Sequence, residues 1–154
     1  MITYTYEHFL NDLELLTRQC QSFKADTILA IARGGVTLGH ALAMSLNIRN
    51  LQSIRAESYD GMKQREGVSI LGSCDLSASK RVLIVDDIVD SGKTLHALLG
   101  ELQAKHPEIV FKTATLFTKQ TALVQPDFSL HEATDWIDFF WERDYLQHLK
   151  NLKH

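Results

Sequence analysis

The sequence predicts an α/β protein in which a central parallel sheet is flanked by helices, with a small C-terminal hood. Two short apolar runs, TILAIA at 27–32 and VLIV at 82–85, have the composition of strands that are buried on both faces. Each run is followed by residues with helical periodicity, and strands that alternate with helices at these lengths are normally joined as parallel neighbours. The 154 residues fit one domain, 1–154, because one hydrophobic core typically organises roughly 100–200 residues.

The first half of the chain predicts two helices and two strands. Apolar residues recur at three- and four-residue steps over 6–20, which indicates a helix with one apolar face, and Thr5 is its candidate N-cap. The run at 27–32 is the first core strand. A helix over about 36–46 and a strand over about 51–57 are predicted to follow it.

The second half repeats this alternation and then departs from it. Residues 58–80 are predicted to form a long loop, after which the strand at 82–85 leads into a helix over about 95–106. Residues 109–117 supply another strand. Beyond them, the aromatic-rich stretch TDWIDFFWERDYLQHL predicts the hood, at about 119–145, which caps the sheet rather than extending the repeat.

Composition excludes several classes of protein. The net charge is −3, with 16 Lys and Arg against 19 Asp and Glu and no long run of either sign, so nucleic acid is not an expected partner. Cys20 and Cys74 form no CxxC pair, which favours reduced thiols in a cytoplasmic protein over a zinc site or a disulfide. The N-terminus carries acidic residues where a signal peptide needs a basic start. No run of about 18 apolar residues is present, so no membrane span is expected.

The segment 82–94, VLIVDDIVDSGKT, has the layout of an anion site. Ligands of open parallel sheets bind outside the carboxyl ends of the strands, where backbone N–H groups at the start of the next helix attract anions. Gly92 permits close backbone approach, while Ser91 and Thr94 can donate hydroxyl hydrogen bonds to phosphate oxygens. The segment therefore predicts a phosphate site.

Two adjacent acids, Asp86 and Asp87, precede this phosphate turn. Ionised carboxylates accept hydrogen bonds from sugar hydroxyls, and one of the pair can also hold Mg²⁺ directly or through water. A phosphate site beside such acids predicts ribose 5-phosphate with a metal nearby. Asp90 stands apart from the pair, three residues after Asp87.

The same residues also have other interpretations. A P-loop containing SGKT requires glycine five positions before Gly92, where Asp87 stands. A signalling receiver domain needs its phosphoacceptor well downstream of the acid pair, and only 67 residues follow Asp87. Taken alone, the acid pair is more often a solvated strand end, Lys119 a surface lysine, and Trp136 a core or interface aromatic.

The segment 82–94 resembles the phosphoribosyl pyrophosphate signature of type I phosphoribosyltransferases: apolar residues, two acids, an apolar spacer, a third acid and then [ST]-G-x-T. Four landmarks occur in the order of the short bacterial xanthine-guanine and hypoxanthine phosphoribosyltransferases: ARGG, SYD, the signature, and FTK followed by DWIDFFWE. The resemblance implies the Rossmann-like fold of that family, with 58–80 as a mobile active-site loop and 119–145 as a purine-binding hood.

The resemblance also assigns roles to individual residues. The ribose phosphate would be bound by Asp86, Asp87, Ile88, Val89, Ser91, Gly92, Lys93 and Thr94, and Asp87 would approach Mg²⁺. Pyrophosphate would be bound by Arg33, Gly34, Gly35, Ser58 and Tyr59. The family often has a cis peptide in this pyrophosphate loop, and Arg33-Gly34 is a candidate.

The purine would be bound by the remaining residues. Asp90 matches the acid–base residue, which would accept a proton from the base. Lys119 matches the lysine that donates to a 6-oxo group and so disfavours adenine. Trp136 matches the aromatic that stacks on the purine, while carbonyl oxygens around Ile137 and Asp138 would accept from a 2-amino group.

The implied reaction transfers phosphoribose from phosphoribosyl pyrophosphate to guanine, xanthine or hypoxanthine, in an order that the sequence leaves open. A non-catalytic regulatory module of the same fold is the alternative. A pyrimidine or adenine enzyme would require a different hood. The resemblance and the aromatic tail favour a homodimer or homotetramer.

Overall fold

The structure, a computed structural model, describes residues 1–59, 67–150 and 152, without the side chains of 58 and 59. Nine strands and four α-helices occur in this part of the chain. They are β1 (Ile2–Tyr4), α1 (Tyr6–Cys20), β2 (Thr27–Ala32), α2 (Val36–Ser45), β3 (Asn50–Tyr59), β4 (Gly67–Leu71), β5 (Arg81–Val85), β6 (Ile88–Val89), α3 (Lys93–Lys105), β7 (Val110–Thr118), β8 (Phe128–Glu132), β9 (Ile137–Phe139) and α4 (Phe140–His148).

The main sheet confirms the predicted α/β class. Its strands lie in the order β4-β3-β2-β5-β7-β6, and β8 pairs with β7. The β2–β5 and β5–β7 pairs at its centre are parallel, with Thr27 opposite Val82 and Val85 opposite Ala114. This arrangement brings the carboxyl ends of β2, β5 and β7 to one edge of the sheet.

Both faces of β5 are buried, as the VLIV run predicts. Leu83 and Val85 belong to a core cluster that includes residues of α1 and α2. Val82 and Ile84 point to the other face and join a second cluster with residues of α3. Because successive side chains of a strand alternate between faces, a strand between two helical layers needs an unbroken apolar run.

The prediction that residues 58–80 form a loop is wrong in part. Residues Gly67–Leu71 form β4, which pairs antiparallel with β3, so that Arg55 lies opposite Leu71. A short strand of this kind depends on a partner elsewhere in the chain. The polar residues around it obscure the apolar pattern by which a strand is predicted from the sequence. The central residues of the predicted mobile loop, 60–66, lie outside the described residues.

Helix α1 begins as predicted. The Thr5 side chain accepts a hydrogen bond from the His8 N–H at 3.2 Å, and His8 Nδ1 accepts from the Thr5 N–H at 3.2 Å. This reciprocal cap satisfies N–H groups that the first helical turn leaves without an intrahelical partner. Helix α3 begins at Lys93, slightly earlier than the sequence predicts.

The hood contains a parallel strand pair that the sequence did not predict. The N-terminal strand β1 pairs with β9, placing Ile2 opposite Ile137. Tyr4 packs edge-on against Phe139, which stacks on Trp141 with ring centroids 4.6 Å apart. These buried rings place Phe139 and Trp141 in the hydrophobic core. Part of the predicted hood, Phe128–Glu132, instead joins the main sheet as β8.

Membrane insertion was also considered. Within the described residues, no helix combines the length and apolarity that crossing a bilayer requires.

Candidate active site

The acid pair lies at the carboxyl end of β5, where Asp87 is buried and Asp86 is half-buried. Asp87 is only 8% exposed, and its Oδ1 accepts a hydrogen bond from the Ile88 N–H at 2.8 Å. Asp86 Oδ1 accepts from the Asp87 N–H at 2.9 Å. Burial raises the pKa of both carboxyl groups, and the neighbouring Asp87 raises that of Asp86 further. Two adjacent acids, one buried and one half-buried, favour a cation or a hydroxyl donor against them.

The phosphate turn connects β6 to α3. Gly92 is buried, has a φ of 82°, and is the N-cap residue of α3. A Cβ atom at Gly92 would lie 2.8 Å from the Val124 nitrogen and 2.9 Å from the Leu123 nitrogen. The close backbone approach that the sequence predicted here is therefore an approach to another loop of the protein. Ser91 is exposed, and its hydroxyl accepts from the Lys93 N–H at 3.3 Å.

The Arg33-Gly34-Gly35 turn links β2 to α2 and lies directly against the acid pair. A Cβ atom on Gly34 would stand 2.5 Å from Asp87 Oδ2. One on Gly35 would collide with the Val85 carbonyl oxygen and lie 2.8 Å from the Asp86 Cα. The cis peptide joins Ala32 to Arg33, one bond before the Arg33-Gly34 bond that the sequence analysis considered. Glycines at these positions allow the two strand ends to pack together.

A cavity of about 390 Å³ opens beside Asp87, between the phosphate turn and the hood. It brings together Asp90, Lys119 and Trp136, which lie far apart in the sequence. The lining residues are Asp87, Ile88, Asp90, Lys119, Thr134, Asp135, Trp136, Ile137, Phe139 and Glu142.

Within this cavity, Lys119 Nζ lies 2.7 Å from Asp90 Oδ1. Trp136 is 71% exposed, so its ring is free to stack on a ligand, whereas Ile137 is buried. Asp138 does not line the cavity; its carboxylate lies 3.7 Å from an Arg143 nitrogen. The arrangement offers a partly apolar slot lined by one cation, Lys119, and several acceptors.

The loop after β7 meets the phosphate turn on both sides of Asp90. The Lys119 N–H donates to the Val89 carbonyl oxygen at 2.9 Å, and the Leu123 N–H donates to that of Ser91 at 2.7 Å. Nothing in the local sequence signals these two bonds, because their partners are about 30 residues apart. They fix the position of Asp90 relative to Lys119.

Glu142 is a cavity residue that the sequence analysis missed. It stands in the first turn of α4, where the start of the helix at Phe140 turns it toward the cavity. Burial and then the charge of Asp87 raise the pKa of its carboxyl group, against the opposite effect of Arg33. Glu142 makes no hydrogen bond or ion pair with another described residue. Glu142 is the last residue of the DWIDFFWE landmark, which assigned it no role, and only the tertiary structure places it at the cavity.

The remaining predicted residues are placed as follows. Arg33 is exposed at the rim, and its charge acts on Glu142. Thr94 lies half-buried in the first turn of α3. The backbone of Ser58 and Tyr59 ends β3, while their side chains, predicted to contact pyrophosphate, lie outside the described residues.

Comparisons with known proteins find relatives in sequence and in fold. A sequence model of the phosphoribosyl transferase domain matches residues 11–148. Xanthine-guanine phosphoribosyltransferase of Idiomarina loihiensis is 31% identical over 134 residues, covering 84% of this chain and 78% of the relative. Hypoxanthine-guanine phosphoribosyltransferase of Rattus norvegicus is 36% identical over 106 residues, covering 66% of this chain. This chain spans about half the length of that relative, 48%.

Among solved structures, the Helicobacter pylori xanthine-guanine-hypoxanthine phosphoribosyltransferase is similar over nearly the whole chain. Its TM-score is 0.89 at 39% sequence identity, and the match covers 98% of this chain and 99% of the other. A purine phosphoribosyltransferase from Pyrococcus horikoshii has a TM-score of 0.78 at 29% sequence identity, and the match covers 91% of this chain and 92% of the other. The domain match, the shared fold and the signature at 82–94 agree: the chain belongs to the phosphoribosyl transferase domain family.

Proposed function

We propose that this protein transfers the 5-phosphoribosyl group from phosphoribosyl pyrophosphate to a 6-oxopurine, giving the nucleoside monophosphate and pyrophosphate. One observation carries the proposal: a single cavity places the Asp90–Lys119 pair and the exposed Trp136 ring beside the buried Asp87. The names of similar proteins, including the Helicobacter pylori enzyme that is 39% identical, point to the same substrate class.

The purine would lie against Trp136, with its 6-oxo oxygen toward Lys119. An ammonium group has three donors, so Lys119 can bond to the base while it stays near Asp90. A 6-amino group would present a donor to this donor, which disfavours adenine. Recognition of the 6-oxo side of the base would therefore rest on stacking and one charged hydrogen bond.

Asp90 would act as the proton acceptor. As the purine N9 forms its bond to the anomeric carbon, the bond from that carbon to the pyrophosphate oxygen breaks, and the proton of the imidazole ring passes to an Asp90 carboxylate oxygen. The ion pair with Lys119, 2.7 Å in length, holds that carboxylate at the cavity wall before the base enters. Positioning of the reactants then supplies much of the rate acceleration.

The sugar phosphate would bind across the strand ends. Ser91, Thr94 and the N-terminus of α3 suit the 5-phosphate, because hydroxyl groups and N–H groups of a first helical turn donate to its oxygens. Asp86 and Asp87 would face the ribose hydroxyls. Arg33, with the backbone of the adjoining glycines, would face the departing pyrophosphate.

The residues at this site fit Mg²⁺. Asp87 is a buried carboxylate that can supply an oxygen ligand to the ion. Its Oδ2 faces the Arg33-Gly34-Gly35 turn, which is where the pyrophosphate would lie. No group of three or more His, Cys, Asp or Glu in the described ranges is arranged to hold a metal alone. Asp87 would thus share the ion with substrate oxygens and water, as is usual for Mg²⁺. When bound, Mg²⁺ neutralises charge on the leaving pyrophosphate.

An assay of the purified protein tests the proposal. With Mg²⁺ and phosphoribosyl pyrophosphate, we expect pyrophosphate release when guanine, xanthine or hypoxanthine is added, and far less with adenine. The control omits the base. The absence of release with all three bases would overturn the enzyme assignment, and nucleotide binding without turnover would favour the regulatory alternative.

Glu142 leads to a second expectation, concerning the choice among the three bases. The cavity has four acids and one lysine, and Asp90, Asp135 and Asp87 all have hydrogen-bond or ion-pair partners. Glu142, which has no hydrogen-bond or ion-pair partner in the part of the chain that the structure describes, favours guanine, whose 2-amino group donates, over xanthine, whose 2-oxo group accepts.

We expect kcat/KM for guanine to exceed that for xanthine by roughly fivefold, since Glu142 is exposed and one hydrogen bond contributes about 0.5–1.5 kcal/mol. The Glu142→Gln variant, which can donate to a 2-oxo group, should narrow this ratio. Glu132→Gln, at the exposed end of β8, is the control. An unchanged ratio in Glu142→Gln would remove Glu142 from base selection.

Assembly and location stay predictions. We propose a homodimer or homotetramer in the cytoplasm, and sedimentation of the purified protein tests the assembly.

A further inference from the structure

The loop that joins β7 to β8 is anchored to the phosphate turn immediately before and after Asp90. The N–H groups of Lys119 and Leu123 donate to the carbonyl oxygens of Val89 and Ser91, at 2.9 and 2.7 Å. Asp90 is the residue between those two acceptors. Its side chain in turn meets the Lys119 ammonium group. The position of Asp90 therefore depends on the shape of this loop.

One side chain, Gln125, closes the loop. Its Nε2 lies 3.0 Å from the Lys119 carbonyl oxygen, 3.3 Å from that of Gln120 and 3.5 Å from that of Ala122. Its Oε1 accepts from the Thr118 hydroxyl at 3.4 Å. Because the three converging carbonyl oxygens accept only, the amide nitrogen must face them. Gln125 thus ties the start of the loop to its end.

Tight packing on the other side of the loop transmits its shape to the phosphate turn. A Cβ atom at Gly92 would lie within 3 Å of the backbone nitrogens of Leu123 and Val124. Atoms this close leave no free space between the two backbones, so a shift of the loop moves the turn or opens a gap.

We propose that Gln125 is a positioning residue, which holds the loop 119–125 so that Asp90 and Lys119 stay aligned between the purine slot and the phosphate turn. This role rests on the proposed transferase function. Gln125 does not line the cavity and acts only through the loop. Its loss should therefore impair the step that uses Asp90 without removing a substrate contact.

Kinetics of matched variants test the role. Gln125→Glu keeps the shape of the side chain but turns a carboxylate toward three carbonyl oxygens, and we expect kcat to fall about tenfold or more, as small misplacements of catalytic groups do. Gln125→Lys keeps donors at this position and should retain most of the activity. Gln120→Ala, on the same loop, leaves the carbonyl acceptor intact and should match the wild type.

A double-mutant cycle separates positioning from general destabilisation. In an Asp90→Asn background, Gln125→Glu should lower kcat no further, because the group that it misplaces is already disabled. A full, additive loss in that background would overturn the proposal.

Backbone hydrogen exchange provides a readout that does not require turnover. In Gln125→Glu, we expect the Lys119 and Leu123 amides to exchange at least several times faster than in Gln120→Ala, since the loop that donates their hydrogen bonds has loosened. Wild-type exchange rates at both amides would refute the positioning role, whether or not the protein proves to be a transferase. Faster exchange in a protein without transferase activity would contradict the proposed function alone.

Discussion

Asp90→Asn is expected to reduce kcat by about 10²–10⁴-fold while leaving the binding of phosphoribosyl pyrophosphate nearly unchanged, because general-base catalysis contributes factors of this size. The asparagine keeps the size of the side chain and its hydrogen bond with Lys119 but cannot take up the proton of the base. Asp90 is exposed, with a side-chain accessibility of 70%. The fold should therefore tolerate the change.

The measurement compares steady-state kinetics with titration of phosphoribosyl pyrophosphate at equilibrium. Asp144→Asn is the matched control: Asp144 also forms an exposed ion pair, 2.9 Å from Arg143 Nε, but does not line the cavity. It should leave kcat within about twofold, since surface ion pairs contribute little. Near-normal turnover in Asp90→Asn would exclude Asp90 as the proton acceptor.

Gly34→Ala is expected to lower kcat/KM by about 100-fold or more, as a displacement of roughly 1 Å at a catalytic site can. Its new methyl group would stand 2.5 Å from Asp87 Oδ2 and 2.9 Å from Oδ1, so the carboxylate would have to move. Moving it breaks the bond from the Ile88 N–H. Gly34 is not among the glycines with positive φ, so alanine adds a collision without backbone strain.

Two further glycines distinguish this effect from general instability. In Gly35→Ala the methyl group meets backbone at Val85 and Asp86, so we expect a loss of folding stability of about 1–3 kcal/mol, the usual cost of overpacking. Gly100, inside α3, has open space around it, and Gly100→Ala should stabilise the protein by about 0.5–1 kcal/mol. Thermal melts and steady-state kinetics of the three alanine variants, at Gly34, Gly35 and Gly100, separate the loss of activity from the loss of stability. Gly34→Ala with full activity would show that the turn does not set the position of Asp87.

Sequence reasoning was most successful where the signal is local. A strand, two acids, a turn and a helix follow one another within 82–94, and the structure has β5, the acid pair, the phosphate turn and α3 in that order. The Thr5 cap and the burial of both faces of β5 were predictable for the same reason. The family also followed from this segment, and the domain match confirms it. The roles of the individual site residues stay predictions.

Other features depend on residues that meet only after folding. Strand β4 exists because β3 lies beside it, and β1 belongs to the hood because it pairs with β9, more than 130 residues away. Neither partner is encoded in the short-range pattern around the strand.

The sequence by itself thus determined the α/β class, the family and the segment 82–94 in which the sugar phosphate is proposed to bind. Each of these depends on residues that are adjacent in the sequence. Only the tertiary structure decided that Glu142 faces the cavity, that Gly92 packs against another loop, and that Gln125 holds the loop anchored beside Asp90. Those contacts join separate segments, and strand pairing and packing, rather than local propensity, choose which segments meet.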